Sequence, residues 1–368
     1  MKKILLITVL SIFWNCNLNA GEMNVFKKKI KLPSDVMQGY KNVWNFCCNF
    51  DPETRLTPDH AFKFVNKTEG HPVRLGEQSI RFELRRGDCG VSPGGYDDCA
   101  IKDPETGMTS ERHELLLDAD VSPFKKITWN TYSIFLTEDF PLYGFDHITM
   151  GQLHGDGDGA VGFQWDIGVG GDYVVNRRTG CFLPKNKNKK CSISNPENNT
   201  QQVIPKDKLL GKWHDIVLNV KWTKKQNGYL KQWINGKLVY HYQGNTDTPR
   251  EKEQFQMGIY RGPLSSTPKN LTQIAYFDQV RFAKSCEKLK LEDLGYSCEE
   301  LESQKILTID TIAFDNYIAV IKNKDDGDYL LKVSGETKKL TEKKGLKKCK
   351  EAGNTKCYVH FSGPKPLY

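Results

Sequence analysis

Two things are scarce in this 368-residue chain: long apolar runs and helical periodicity. The apolar stretch at residues 4–14 is too short to cross a bilayer, which takes about 20 residues, and no later segment could cross one. The cysteine pairs lack the short two-residue gap of a structural zinc site, and no histidine follows them at ligand spacing. Glycines at 168–171 follow a predicted strand, but no helix pattern comes after them, which argues against a nucleotide site. The predicted strands also lack two carboxylates at alternating positions. A sandwich glycoside hydrolase needs such a pair, and Asp166 stands without a partner.

What is present begins with an export signal. Lys2 and Lys3 form a basic start, residues 4–14 an apolar core, and Leu18-Asn19-Ala20 a small-residue cleavage site. Residues 1–20 are expected to be removed, leaving a secreted or periplasmic protein. Cys16 lacks the small residues of a lipid-anchor signal and goes with the removed segment. Of eleven cysteines, ten then remain. Cys89 with Cys99, Cys181 with Cys191, Cys286 with Cys298, and Cys349 with Cys357 read as local disulfides on loops, while Cys47 and Cys48 stay unassigned. The formal charge is +8, or +6 without Lys2 and Lys3. A basic exported protein favours acidic partners: anionic polysaccharide, nucleic acid or a membrane surface.

Residues 27–31 read as a solvated basic arm. Short strands are predicted at 80–84, 112–117, 127–136, 148–154, 162–167, 173–176, 213–222, 230–234, 237–240, 255–260 and 274–282. Asn235-Gly236 between apolar runs is a hairpin turn, because both residues tolerate positive φ. Trp213, Trp222 and Trp233 read as core. So many short strands argue for an all-β, two-sheet antiparallel sandwich over residues 21–303. Helix is expected only near 288–301, where Leu289, Leu291, Leu294 and Leu301 form an apolar stripe. Residues 304–368 read as a small Lys-rich β appendage, with twelve lysines, no arginine and eight acids over 306–368. Gly155-Asp156-Gly157-Asp158-Gly159 and Asp325-Asp326-Gly327-Asp328 read as turns first and as structural calcium loops second.

The chemistry concentrates on three predicted strands. Alternation puts Met150, Gln152 and His154 on one face of 148–154. It puts Arg112 and Glu114 on one face of 112–117, with His113 on the other, where it reads as a core histidine unless the strand bulges into a groove. It puts Gln256, Gly258 and Tyr260 together on 255–260, beside Arg261. If these faces line one trough, the set suits β-elimination from a uronic acid. The C5 proton is weakly acidic while the neighbouring carboxylate is charged, so the site must neutralise that carboxylate. Gln152 and Arg112 suit that task. His154 or ionised Tyr260 could remove the proton, and Tyr260 could protonate the leaving oxygen. In glucuronate and mannuronate the C5 proton and the C4 oxygen share a side, so one tyrosine could handle both transfers. In guluronate and iduronate they lie on opposite sides, and His154 as base with Tyr260 as acid divides the work.

Arg112-x-Glu114, Gln152-x-His154, Gly258-x-Tyr260 and the closing Tyr276-Phe277-Asp278-x-Val280 occur in that order. In this the chain resembles the jelly-roll polysaccharide lyases, among them alginate lyases, glucuronan lyases and heparin lyase I. The resemblance implies a concanavalin-like β-jelly roll and an anionic polysaccharide partner rather than nucleic acid or a membrane. It implies catalytic roles for Gln152, His154 and Tyr260, and a groove pair in Arg112 and Glu114. His113, Gln256 and Arg261 are further candidate substrate contacts. A monomer is expected, and no cofactor is required. Two departures matter: alginate-type enzymes carry a second arginine where this chain has Leu116, and a lysine where it has Gln256. Fewer cations favour a glucuronan-like or mixed uronate polymer over alginate or heparin. A non-catalytic, lectin-like sandwich binding acidic glycans is the alternative.

Overall fold

A computed structural model describes residues 29–30, 32–34, 36–39, 44–47, 57–91, 97–100, 102, 107, 109–117, 126–142, 148–155, 161–168, 170–177, 200–225, 227–246, 253–262, 271–304, 317–323, 330–335, 338–351 and 356–364. The export signal, Cys48, the Cys181/Cys191 pair and both Asp/Gly-rich turns lie outside these residues, apart from Gly155.

The strands in chain order are β1 (Lys29–Ile30), β2 (Met37–Gly39), β3 (Trp44–Cys47), β4 (Phe62–Asn66), β5 (Gln78–Leu84), β6 (Glu111–Leu117), β7 (Ile127–Leu136) and β8 (Ile148–Gly155). Next come β9 (Val161–Ile167), β10 (Tyr173–Arg177), β11 (Thr200–Ile204), β12 (Trp213–Lys221), β13 (Gly228–Ile234), β14 (Lys237–Gly244), β15 (Glu253–Arg261) and β16 (Gln273–Ala283). They form two sheets. The first runs β1-β3-β6-β15-β8-β9-β10-β11, and the second β14-β13-β12-β7-β16-β5-β4, with β2 added parallel to β16. Residues 29 and 30, expected in a solvated arm, pair with β3 instead.

Alternation explains how the sheets meet. Leu115, Leu153, Phe163, Trp165, Phe255, Met257 and Ile259 of the first sheet join Ile80, Phe82, Ile134, Ile216, Leu218 and Phe277 of the second in one buried cluster. Each such side chain contributes about 1.5–3 kcal/mol on burial, and together they make a β-sandwich of jelly-roll type. The second sheet is also covered outside. Trp129, Val217 and Trp233 pack there against Cys286, Leu289, Leu291, Leu294 and Leu301, with the indoles of Trp129 and Trp233 stacked 5.5 Å apart. Trp222 and Trp233 are core, as expected, whereas Trp213 is half-buried against Phe135.

The leucine stripe is real, but it does not sit on one helix. Positive φ at Lys290 (53°) and Gly295 (88°) breaks it into two 3-10 turns and a short helix α1 (Cys298–Ser303). The Cys286–Cys298 disulfide closes this segment. Arg74 anchors it to the sandwich: its guanidinium grips the Asp215 carboxylate at 3.0 and 2.8 Å, and Asp215 also accepts from the Tyr296 hydroxyl at 2.7 Å.

The C-terminal residues depart most from expectation. β17 (Tyr317–Asn323), β18 (Leu330–Gly335) and β19 (Cys357–Pro364) form a sheet in the order β18-β17-β19, but between β18 and β19 lies a 14-residue helix, α2 (Lys338–Glu351). Its apolar content is too thin for a helical period to show, since the residues it buries include Thr341 and Cys349. The Cys349–Cys357 disulfide joins it to β19.

A single position on β15 fixes how the first sheet is assembled. Gly258 has φ +145°, and a Cβ there would lie 2.1 Å from the carbonyl oxygen of His113 on β6. Gly258→Ala should therefore lower stability by about 3 kcal/mol or more, from overpacking and backbone strain together. Gly70→Ala, also at positive φ (82°) but with no atom within 4 Å, should cost only about 1 kcal/mol. Denaturant unfolding of the two variants measures the contrast, and equal losses would contradict it.

Candidate active site

β15 lies between β6 and β8, and on these three strands the side chains that turn from the core are polar, apart from Leu116. Register sets who meets whom. Tyr260 pairs with Arg112 and Gly258 with Glu114 on one side, while Gln256 pairs with Gln152 and Gln254 with His154 on the other. Strands β6 and β8 stand two spacings apart, about 9.6 Å. Even so, Gln152 reaches across β15 and donates from Nε2 to Glu114 at 3.0 Å and to Gln256 Oε1 at 2.9 Å.

Arg112 is the hub of the other half. Its Nη2 donates to Asp98 at 2.9 Å, its Nη1 lies 3.4 Å from Glu114, and its guanidinium carbon sits 3.9 Å above the centre of the Tyr260 ring. Sequence reasoning missed Asp98, which lies in a 3-10 turn inside the stapled loop. The Cys89–Cys99 disulfide holds that turn where Asp98 can meet Arg112. The bond itself was legible, but no spacing in the chain points Asp98 at β6. A second polar cluster continues onto β9: Thr149 donates to Asp166 at 2.7 Å, and Gln164 and Asn176 hydrogen-bond into the same group. Asp166 thus has neutral partners and no second carboxylate beside it among them.

Water is largely excluded here, and the ionisable groups respond. Burial pushes the Glu114 carboxyl up to about 7, against the opposing pull of Arg112 and Gln152. Burial also raises Asp98, again opposed by Arg112. The Tyr260 phenol is raised by burial, while Arg112 and the Ser110 hydroxyl work to lower it. Glu114 near neutrality is therefore partly a carboxylic acid, a donor rather than only an acceptor.

Several sequence-predicted residues lie elsewhere than expected. Met150 does not share a face with Gln152. Against β9, Thr149 pairs with Asp166 and Gly151 with Trp165, so β8 carries one extra residue. Met150 and Gly151 both turn inward, Met150 into the core and Gly151 toward the Tyr132 hydroxyl, and alternation restarts at Gln152. His113 is not in the groove. β6 passes it with no register shift against β15, so it keeps to the core side, fully buried and 3.0 Å from Asp88. Arg261 is likewise buried, paired with Glu111 and donating to Gln273 at 3.1 Å. It ties β15 to β6 and β16. His154 lies on the polar face and is half-buried, but opposite Gln254, six residues along β15 from Tyr260. At about 3.4 Å per residue that is roughly 20 Å of strand. Arg112, Glu114, Gln152, Gln256 and Tyr260 are thus brought together, and His154 marks the other end of the same face.

Comparison with known proteins adds family membership. Residues 65–281 match the family model described as polysaccharide lyase. No curated protein matches the chain. Among solved structures, an endo-β-1,4-glucuronan lyase from the fungus Trichoderma reesei is similar at 13% identity, over 67% of this chain and 97% of that one, with TM-score 0.45. An alginate lyase from Corynebacterium sp. is similar at 12% identity, over 66% and 94%, with TM-score 0.41.

The raised carboxyls set a pH dependence of stability. Glu114 rises from 4.5, and Asp278, buried under the backbone N–H groups of Arg74 and Leu75, rises from 3.8; both reach about 7. The folded state holds these protons to higher pH than the unfolded state does. Their contribution is complete below about pH 4 and is lost as pH rises to about 7. Glu114→Gln should therefore gain in melting temperature relative to wild type between pH 5 and pH 8. A difference that stays constant or shrinks across that range would contradict the assignment.

Proposed function

This chain belongs to the polysaccharide lyase family and is a lyase, and we propose that it cleaves a uronic-acid polysaccharide by β-elimination, with Tyr260 carrying the proton. The observation that supports this most is the Arg112 guanidinium resting on the Tyr260 ring while its edge faces Glu114. A cation over an aromatic face favours negative charge developing on the phenol oxygen. Beside it, Gln152, Arg112 and a partly protonated Glu114 offer donors for a uronate carboxylate. The Tyr260 phenolate takes the C5 proton, the C5–H electrons form the C4–C5 double bond, and the C4–O bond breaks. The leaving oxygen then takes the proton back from Tyr260, which restores the phenolate.

One tyrosine doing both transfers suits a sugar whose C5 proton and C4 oxygen share a side. That favours glucuronate- or mannuronate-configured units, and His154, displaced along the strand, then holds a neighbouring sugar of the polymer rather than the reacting one. Arg112 is the only arginine or lysine on the polar faces of β6, β15 and β8, among the described residues. So sparse a cation set favours a glucuronan-like or mixed uronate polymer over a sulfated one. Export of the enzyme is supported by three disulfides among the described residues. No helix among them is long and apolar enough to cross a membrane.

Incubation with glucuronan, alginate, hyaluronan and heparin, followed by the ultraviolet absorbance of an unsaturated uronate, tests the reading. Glucuronan should give the strongest signal. Reducing ends without the absorbance would mean a hydrolase, and binding without either would mean a lectin-like module. Tyr260→Phe should abolish the product while polymer binding persists. His154→Ala should raise KM more than it lowers kcat. If Tyr260 is the base, kcat should climb with pH beyond neutrality as the phenolate fraction grows. A plateau near pH 7, removed by His154→Ala, would transfer that role to His154.

A further inference from the structure

On the core side of β6, behind Arg112, three side chains converge that the elimination does not use. His60 lies in the turn before β4, Asp88 in the turn after β5, and His113 on β6 itself. Nε2 of His60 is 2.8 Å from Oδ2 of Asp88, and Nε2 of His113 is 3.0 Å from the same oxygen. The two imidazoles stand nearly perpendicular, at 74°, with centroids 5.8 Å apart. One ligand atom from each of the three lies within 4.8 Å of the others. His113 is 2% exposed, and neither of its ring nitrogens makes a well-directed hydrogen bond: the carboxylate is close, but off the line of the N–H.

We propose that His60, Asp88 and His113 form a binding site for a divalent transition-metal ion of the zinc class, with water completing the coordination. Two imidazoles and one carboxylate are the donor set that such ions prefer, whereas calcium and magnesium call for oxygen ligands throughout. In a tetrahedral zinc site with bonds of about 2.0–2.1 Å, neighbouring ligand atoms stand about 3.3 Å apart. The two separations from Asp88, 2.8 and 3.0 Å, need to open by only a few tenths of an ångström, and the two imidazole nitrogens stand within 4.8 Å of each other. Arg261, whose charge reaches His113, is paired with Glu111.

The ion would act on the candidate active site through the chain rather than through space. Asp88 adjoins Cys89, which is bonded to Cys99, and Asp98 precedes Cys99. The backbone oxygen of Asp88 also accepts from the backbone N–H of Arg112 at 3.1 Å. Fixing Asp88 therefore fixes the base of the loop that supplies the partner of Arg112.

The test uses the full protein stripped with EDTA, desalted and titrated with zinc chloride. Zinc retained after gel filtration and the melting temperature are both read. Wild type should retain one zinc more per chain than His60→Gln, and its melting temperature should rise by several degrees. His60→Gln alters a part-exposed turn residue away from the elimination chemistry. It should bind zinc at least tenfold more weakly and lose that rise. Wild type that retains no zinc, or a variant that binds it as tightly as wild type, overturns the proposal. Neither result depends on whether any polysaccharide is cleaved.

Discussion

One guanidinium governs the polar face of the first sheet. Arg112 has two buried carboxyls within reach and an aromatic ring beneath it, and on the polar faces of β6, β15 and β8 no lysine or second arginine among the described residues shares the load. Removing an ion from water costs several kcal/mol unless its partners are well placed, so Arg112 needs its acids. With both acids ionised the trio would be net negative, which repels a polyanion. Burial eases this by raising both carboxyls, Glu114 to about 7, so that near neutral pH Glu114 is partly protonated and the trio is less negative. What would otherwise be a defect for an anionic substrate becomes a set of donors.

That arrangement depends in turn on the backbone. β15 can lie tight against β6 because Gly258 has no Cβ, and Gln152 reaches Glu114 across β15. Glycine two positions before a tyrosine is thus a steric requirement of the sheet as much as part of a motif. Arg261, next to Tyr260 but facing the other way, fastens the strand to Glu111.

Most of this architecture was legible. Apolar alternation located the sandwich strands that carry the site, and Asn235-Gly236 located a hairpin, because period two and turn chemistry are local properties. The shared faces of Arg112 with Glu114, and of Gln256 with Tyr260, followed for the same reason. What alternation could not reveal was any break in itself. The extra residue in β8 turned Met150 inward, and neither Met150 nor Gly151 announces a bulge. Distance along the strand was also hidden. A shared face puts His154 and Tyr260 on the same side, but only register shows that they sit at different ends. Asp98 was out of reach because a disulfide loop, not a strand, delivers it. α2 was missed because half its residues are lysine and its buried side includes threonine and cysteine.

The order in which the strands are made has a consequence for biosynthesis. β15 and β16 are the last strands of the sandwich to leave the ribosome, yet each takes an inner place, β15 between β6 and β8 and β16 between β7 and β5. Until β15 and then β16 emerge, five strands wait with unpaired edges, β6 and β8 for the first and β7, β5 and β2 for the second, the condition under which nascent chains stick to one another. Neither sheet can be finished early, so an amino-terminal fragment is a poor folding unit. The tyrosine-bearing strand is therefore inserted as a late keystone, with β6 and β8 held apart until it arrives.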